Sequence, residues 1–326
     1  MRKFGWAIGY GLVLTAFTAF MALDTFVISH EMQTDAGKMN TAMFDNIKSS
    51  DSSTASPTQQ QGAQEQQETI GGNTHYSQLG LVPLKIKKEP DYQDENITLT
   101  LSEFYEYETH IYVADVYLSS AEHLKTAFAY DTYGRNVKAY TSEIARDHGA
   151  VFAINGDFYG AQERGYVIRN GIEYRTEPNS DQVLCIYADG HFDVKESYEK
   201  TTSELIEEGV WQAFCFGPGL IENGELTVDE NDEVDAHMAS NPRTAIAHVD
   251  GLHYMFIVSD GRTSASAGLS LDQLAAFIQK LGAQTAYNLD GGGSSSMYFQ
   301  GRVINQPTSS GRTIKEREVS DIVYLS

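Results

Sequence analysis

A mixed α+β domain, largely antiparallel sheet with helices packed against it, is the fold class this sequence predicts, on three observations. Turn dipeptides suited to tight hairpins recur after residue 160, at Asn170-Gly171, Asp189-Gly190, Asn223-Gly224 and Asp250-Gly251, each between strand-like runs. Two short stretches have helical signals, about Thr141 to His148 and Ser270 to Leu281. Each runs straight into one copy of the pattern G-A-x-x-A-x-N-x-D, at Gly149–Asp157 and again at Gly282–Asp290.

The chain begins with Arg2 and Lys3, followed by an uncharged run from Phe4 to Leu23. A run of that length reads as an N-terminal transmembrane anchor over 1–28, basic flank inside and the remainder outside, with a cleaved signal peptide as the competing reading. Residues 29–79 are rich in Gln, Ser and Thr, with no apolar periodicity, and read as a disordered linker. Residues 80–326 then form a single folded domain, with no second linker to divide it. Tyr105, Tyr107, Tyr112 and Tyr117 suggest strands near its start, either as part of the core or as an extension.

The elements follow from local signals. Ser270 is an N-cap with Gln273 three residues on; Leu271, Leu274, Ile278 and Leu281 keep helical spacing, and Gly282 stops the run. The earlier helix stops at Gly149, with His148 placed to meet its C-terminal dipole. In each strand that follows, alternate side chains share a face, so Ala153, Asn155 and Asp157 point one way, as do Ala286, Asn288 and Asp290. Two strand ends would thus offer an amide and an acid to one cleft.

The formal charge of −22 excludes nucleic acid as a partner held by bulk electrostatics, so any anionic substrate group must be met by local arginines or a metal. Cys185 and Cys215 lie in apolar runs and read either as a disulfide or as two buried thiols. The nine histidines show no transition-metal spacing. No cofactor is required by the sequence. Calcium stays open because Asp229 to Asp235 offers oxygen ligands, although without EF-hand spacing this segment reads by default as a solvated loop.

The strongest local motif is Asn288-Leu289-Asp290-Gly291-Gly292-Gly293-Ser294-Ser295-Ser296-Met297. Successive glycines let the main chain approach a ligand, and amides with serine hydroxyls can surround an anion. It is not a Walker loop, since the Lys-Ser/Thr is missing. Together with Ala153 to Tyr159, Gly217-Pro218-Gly219-Leu220, Asn241 to Ala247 and Ser259-Asp260-Gly261-Arg262, this motif resembles the phosphodiester glycosidase family from Gly149 to the C-terminus. The tail Glu316-Arg317-Glu318-Val319 is similar to that family's ending, with Glu318 where proline is usual.

The resemblance implies hydrolysis between an anomeric carbon and a phosphate oxygen. The leaving group is a phosphate monoester, so protonating it matters less than in ordinary glycoside cleavage, but a carboxylate facing the anomeric carbon remains necessary. Asp290 is the first choice, as nucleophile or as base for water, and Asp157 is its partner. Arg243 would grip phosphate with its planar guanidinium, or else form a structural ion pair. Asn155 and Asn288 would bond sugar hydroxyls, hold the carboxylates, or merely terminate strands. Asp260 and Arg262 would stand on the cleft rim or form only a turn, and Gly291, Gly292, Gly293, Ser294 and Ser295 would contact substrate.

The expected function is that of a membrane-tethered hydrolase outside the cytoplasm, cleaving sugar-1-phosphodiesters in cell-wall or exopolysaccharide material. Two alternatives stand beside it. One is hydrolysis of ordinary glycosidic bonds with Asp157 and Asp290 sharing the acid and nucleophile roles. The other is a non-catalytic polysaccharide-binding module using Tyr159, Tyr166 and Tyr174.

Overall fold

The computed structural model describes residues 5–33, 38–51, 76, 79–85, 89–179, 182–228 and 240–326. Three antiparallel sheets carry the fold. The largest has eight strands in the order Glu225–Leu226, Gly219–Glu222, Thr285–Leu289, Thr244–Asp250, His253–Ser259, Thr109–Leu118, Ile97–Glu106, Tyr92–Gln93. A second, of five, runs Arg302–Val303, Met297–Phe299, Phe152–Asn155, Asp321–Leu325, Leu124–Phe128. The third, also of five, runs Phe192–Glu196, Gln182–Tyr187, Val210–Phe214, Val167–Arg169, Ile172–Arg175.

The predicted hairpins form at all four turns. At two of them both central residues take positive φ, Asn170 at 53° with Gly171 at 72°, and Asn223 at 53° with Gly224 at 80°. Such turns match the twist of the strands they join. The strands rich in tyrosine before residue 120 belong to the large sheet and so to the core of the domain.

One core is shared by all three sheets. Val116, Ile246, Phe256 and Leu289 of the large sheet meet Phe152, Ile154 and Val323 of the second and Leu184 and Phe214 of the third. The helix Leu271–Lys280 covers the opposite face of the large sheet, with Leu274, Phe277 and Ile278 against Ala245, Ala247 and Ile257. Each such side chain taken fully from water contributes about 1.5–3 kcal/mol. Ser270 and Gln273 form the expected reciprocal cap. The helix Thr141–Asp147 packs Ile144 and Ala145 against Ala153 and Ile322 of the second sheet. Both copies of the repeated pattern are therefore helix–turn–strand units, but they serve different sheets.

The N-terminal region departs from expectation. Gly5–Phe26 is a helix, yet among the described residues no helix is long and apolar enough to cross a membrane. Gly9, Tyr10, Gly11, Thr15 and Thr18 interrupt the apolar run, and Asp24 falls within the helix. The membrane anchor thus finds no support. The linker reading over 29–79 is corrected at its start: His30–Gln33 pairs with Tyr133–Arg135, and Ala42–Asp51 is a helix whose Phe44 is buried edge-on against Trp211 at 4.9 Å. Tyr76 and Leu81 are also buried, so the packed region begins before residue 80. The glutamine-rich centre of that stretch, and the acidic segment weighed for calcium, lie outside the described residues. Cys185 and Cys215 are free, buried thiols, raised by burial, Cys185 to about 12.

Candidate active site

The strand Thr285–Leu289 lies between Gly219–Glu222 and Thr244–Asp250, and its end delivers Asp290 to the tip of the second-sheet strand Phe152–Asn155. There the two copies of the motif are stitched together. The Asp290 amide donates to the Gly156 carbonyl at 3.2 Å, and Asn155 Nδ2 donates to the Asp290 carbonyl at 2.6 Å. Asn155 Oδ1 accepts from Thr244 Oγ1 at 2.9 Å and from the Ser296 amide at 3.3 Å. Asn155 is fully buried and holds Asp290 in position; it does not line the cleft.

Asp290 sits in a cleft of about 300 Å³, whose lining includes Arg243, Arg262, Arg317, Asn288, Phe158 and Phe216. Burial pushes its carboxyl above the ordinary carboxylate range, opposed by Arg317, Ser294 and the Gly291 amide. Arg317 Nη2 lies 3.2 Å from Asp290 Oδ2 and 3.3 Å from Oδ1, while Arg317 Nε donates to Ser294 Oγ at 2.9 Å. Arg262 donates to Asn241 Oδ1 from Nε at 3.1 Å and from Nη2 at 2.8 Å, and from Nη1 to the Ser309 carbonyl at 2.7 Å. These acceptors are neutral. Burial, with Arg317 as a neighbour, lowers the Arg262 guanidinium from its usual value. Among the described residues the cleft lining holds three arginines and one carboxylate, in a chain of net charge −22.

The glycines make room for this arrangement. A Cβ on Gly292 would stand 3.0 Å from Arg262 Nη2, at a residue with φ of +61°, and one on Gly291 would stand 2.9 Å from the Pro242 carbonyl oxygen. Both line the cleft. Gly293 does not; a side chain there would overlap Ser309. Asn288 is held by Nδ2 donating to the Gly217 carbonyl at 2.7 Å, and its buried Oδ1 has no hydrogen-bond partner. Ser294 acts through Arg317, and Ser295 is wholly buried away from the cleft lining.

Two expected acids, Asp157 and Asp260, also lie off the cleft. Asp157 is 1% exposed; its Oδ1 accepts from Arg169 Nη2 at 2.8 Å and the Tyr159 amide at 3.2 Å, and its Oδ2 from the Cys215 amide at 2.9 Å. Arg169 also donates from Nε to Asp321 Oδ2 at 2.9 Å, so Asp157 belongs to a buried acid–arginine–acid triad. The turn after Gly156 aims Asp157 at the third sheet and away from the cleft. Asp260 is likewise buried, accepting from Tyr112, Asn305 and the Gln306 amide, while Arg262 two residues on does reach the cleft. Arg243 lines the cleft with Nε donating to the Leu269 carbonyl at 2.9 Å. Arg317 is the cleft residue that sequence reasoning missed, although the tail motif Glu316-Arg317-Glu318-Val319 contains it. Among the described residues no cluster of three or more His, Cys, Asp or Glu could hold a metal ion.

A family model described as phosphodiester glycosidase matches residues 148–326, which includes the repeated motif, the glycine-rich turn and Arg317. The chain belongs to the phosphodiester glycosidase family. Among its relatives, the SPbeta prophage-derived uncharacterized protein YomE of Bacillus subtilis is 26% identical over 201 residues, covering 60% of this chain and 30% of that protein. The N-acetylglucosamine-1-phosphodiester alpha-N-acetylglucosaminidase of Bos taurus is 25% identical over 190 residues, covering 52% of this chain and 35% of that enzyme. The chain thus spans about a third of the length of these relatives. The zebrafish catalytic domain of the same glycosidase, auto-inhibited by its pro-peptide, superposes with a TM-score of 0.56 at 17% identity, covering 73% of this chain and 86% of that one, and shares the fold.

Proposed function

We propose that this phosphodiester glycosidase hydrolyses sugar-1-phosphodiester linkages in cell-wall or exopolysaccharide material outside the cytoplasm. The observation that carries the reading is that, among the described residues, one carboxylate, Asp290, lies buried in a cleft with Arg243, Arg262 and Arg317. Asp290 attacks the anomeric carbon or takes the proton of the attacking water, and the bond to the phosphate oxygen breaks with its electron pair leaving on the phosphate. Arginines on the cleft wall hold the phosphate and stabilise the charge that gathers there. Burial pushes the Asp290 carboxyl up, and Arg317 opposes that push. Water is the second reactant and the leaving group needs little protonation, so the reaction calls on no cofactor. The location outside the cytoplasm rests on Arg2 and Lys3 ahead of the uncharged run Phe4 to Leu23, read as a signal peptide.

Ordinary glycoside hydrolysis would need a second carboxylate facing the same bond. Asp157, the residue expected to supply it, is bound instead to Arg169, which argues for the phosphodiester reading. Offering the full chain a GlcNAc-1-phosphodiester, a nitrophenyl glycoside and intact wall polymer tests the proposal. Release from the first and not the second is expected. Turnover of the nitrophenyl glycoside alone would refute it, and retention of polymer without turnover of any substrate would point to a binding module.

A further inference from the structure

A second cavity, of about 230 Å³, opens where the strand His30–Gln33 crosses Tyr133–Arg135, and Arg175, Tyr159 and Gln162 line it. Arg175 is only 9% exposed, yet every bond its guanidinium makes is to a main-chain carbonyl: Nε to Gly165 at 2.6 Å, Nη1 to Tyr159 at 3.1 Å and to Gln162 at 2.6 Å. Its Nη2 is buried with no hydrogen-bond partner. Burying a charge without an opposite charge is among the costlier arrangements a fold can hold. Among the described residues lining the cavity the one acid, Glu163, is already paired with Arg135 at 3.3 Å, so the lining gives Arg175 no carboxylate partner.

Two more buried polar groups of the same cavity are short of a partner: Gln162 Oε1 has none, and the Tyr159 hydroxyl, whose oxygen faces the Gly134 amide, has no acceptor for its proton. Tyr159 is a donor here, since burial and the nearby Asp321 hold its phenol well above its usual value and keep its proton on. A guanidinium N–H and a phenolic O–H call for anionic oxygens. An amide oxygen calls for a donor. Unpaired buried polar groups converging on one cavity need an explanation, and one ligand satisfies all three.

We propose that the cavity lined by Arg175, Tyr159 and Gln162 is a second binding site, for a small oxyanion that also carries a hydrogen-bond donor, hydrogenphosphate being the simplest. Its oxygens accept from Arg175 Nη2 and Tyr159, and its remaining O–H donates to Gln162 Oε1. Sulfate has the same shape and no proton at neutral pH, so its oxygen would face Gln162 Oε1 unfavourably. The site is separate from the catalytic cleft but joined to it by the chain, because Phe158 lines the cleft and Tyr159 the second cavity.

Equilibrium dialysis of the full chain against radiolabelled inorganic phosphate at neutral pH tests this. Two phosphates per chain are expected, falling to one in Arg317→Met, which removes a cleft arginine. One is also expected in Tyr159→Phe, which keeps the ring against Phe128 and Tyr133 and loses only the hydroxyl. Sulfate should displace the phosphate retained by Arg317→Met at least tenfold less effectively than unlabelled phosphate, and Gln162→Met should erase that preference. One phosphate per chain, insensitive to Arg317→Met but lost in Tyr159→Phe, would uphold this site while counting against the catalytic reading of the cleft. A single phosphate lost in Arg317→Met, or sulfate competing as well as phosphate, overturns the proposal.

Discussion

Asp157→Asn separates a structural carboxylate from a catalytic one. The wild-type side chain accepts three hydrogen bonds, from Arg169 Nη2 and the amides of Tyr159 and Cys215, with almost no solvent contact. Asparagine offers one acceptor oxygen, so its NH2 must face either the guanidinium or a backbone N–H. Losing the charge-assisted bond costs about 1.5–3 kcal/mol, and a stranded buried N–H about 1–3 kcal/mol more. Against this, Asp321 still partners Arg169 and is relieved of the Asp157 charge, one of the causes that raise its carboxyl.

The net expectation is a loss of roughly 2–4 kcal/mol, well below the sum because the arginine keeps one acid. For a domain of this size that lowers Tm by roughly 5–15 °C. The deficit should narrow as pH rises from the ordinary carboxylate value to the raised value of Asp321. Over that interval Asp321 ionises in the unfolded chain while the fold still holds its proton, so the wild type loses stability with rising pH, and the variant, with a less raised Asp321, loses less. Urea and thermal unfolding across that interval, with kcat measured well below the variant's Tm, is the assay. Turnover within about tenfold of wild type is expected. A variant that keeps wild-type stability and loses turnover a hundredfold or more would show that Asp157 is catalytic and refute the reasoning.

Asp290→Asn should keep the fold and lower kcat at least a hundredfold, in line with the loss of an acid–base group at roughly 10²–10⁴; near-normal turnover would remove Asp290 from the chemistry. The acidic limb of the kcat profile should lie above the ordinary carboxylate range, since burial raises Asp290 and the ionised form is the active one. Arg317→Met should move that limb higher still, because Arg317 is the main influence holding the carboxyl down, and a limb that stays put or falls would contradict the pairing. Gly292→Ala should raise KM more than it lowers Tm, as its Cβ meets Arg262 Nη2 at a backbone φ that side chains seldom adopt; unchanged KM would show that the close approach is unimportant. Arg243→Ala should weaken phosphate-bearing substrates more than uncharged ones, read as Kd by calorimetry.

The local elements were legible because their signals are local. Asn-Gly and Asp-Gly pairs accept positive φ at little cost, and the Ser270 and Gln273 cap lies within one helical turn, so turns and helices could be placed without knowing what they pack against. The N-terminal segment was misjudged for the converse reason: Phe44 is one aromatic in a polar stretch, and only Trp211, far along the chain, makes it a core residue. Asp157 and Asp290 occupy equivalent places in a repeated motif, yet one faces Arg169 and the other the cleft.

By itself the sequence determined the α+β class, the four hairpins, the two helix–strand units and the family, and it nominated Asp290 and the glycine turn as the centre of the candidate site. Tertiary structure decided which polar residues share that centre. Arg317 reaches Asp290 from the C-terminal tail, Asn155 is absorbed in tying two sheets together, and Asp157 and Asp260 are consumed by buried partners. Side-chain alternation along a strand states which residues share a face but not what that face meets, and charge balance in a buried site depends on neighbours brought from distant parts of the chain.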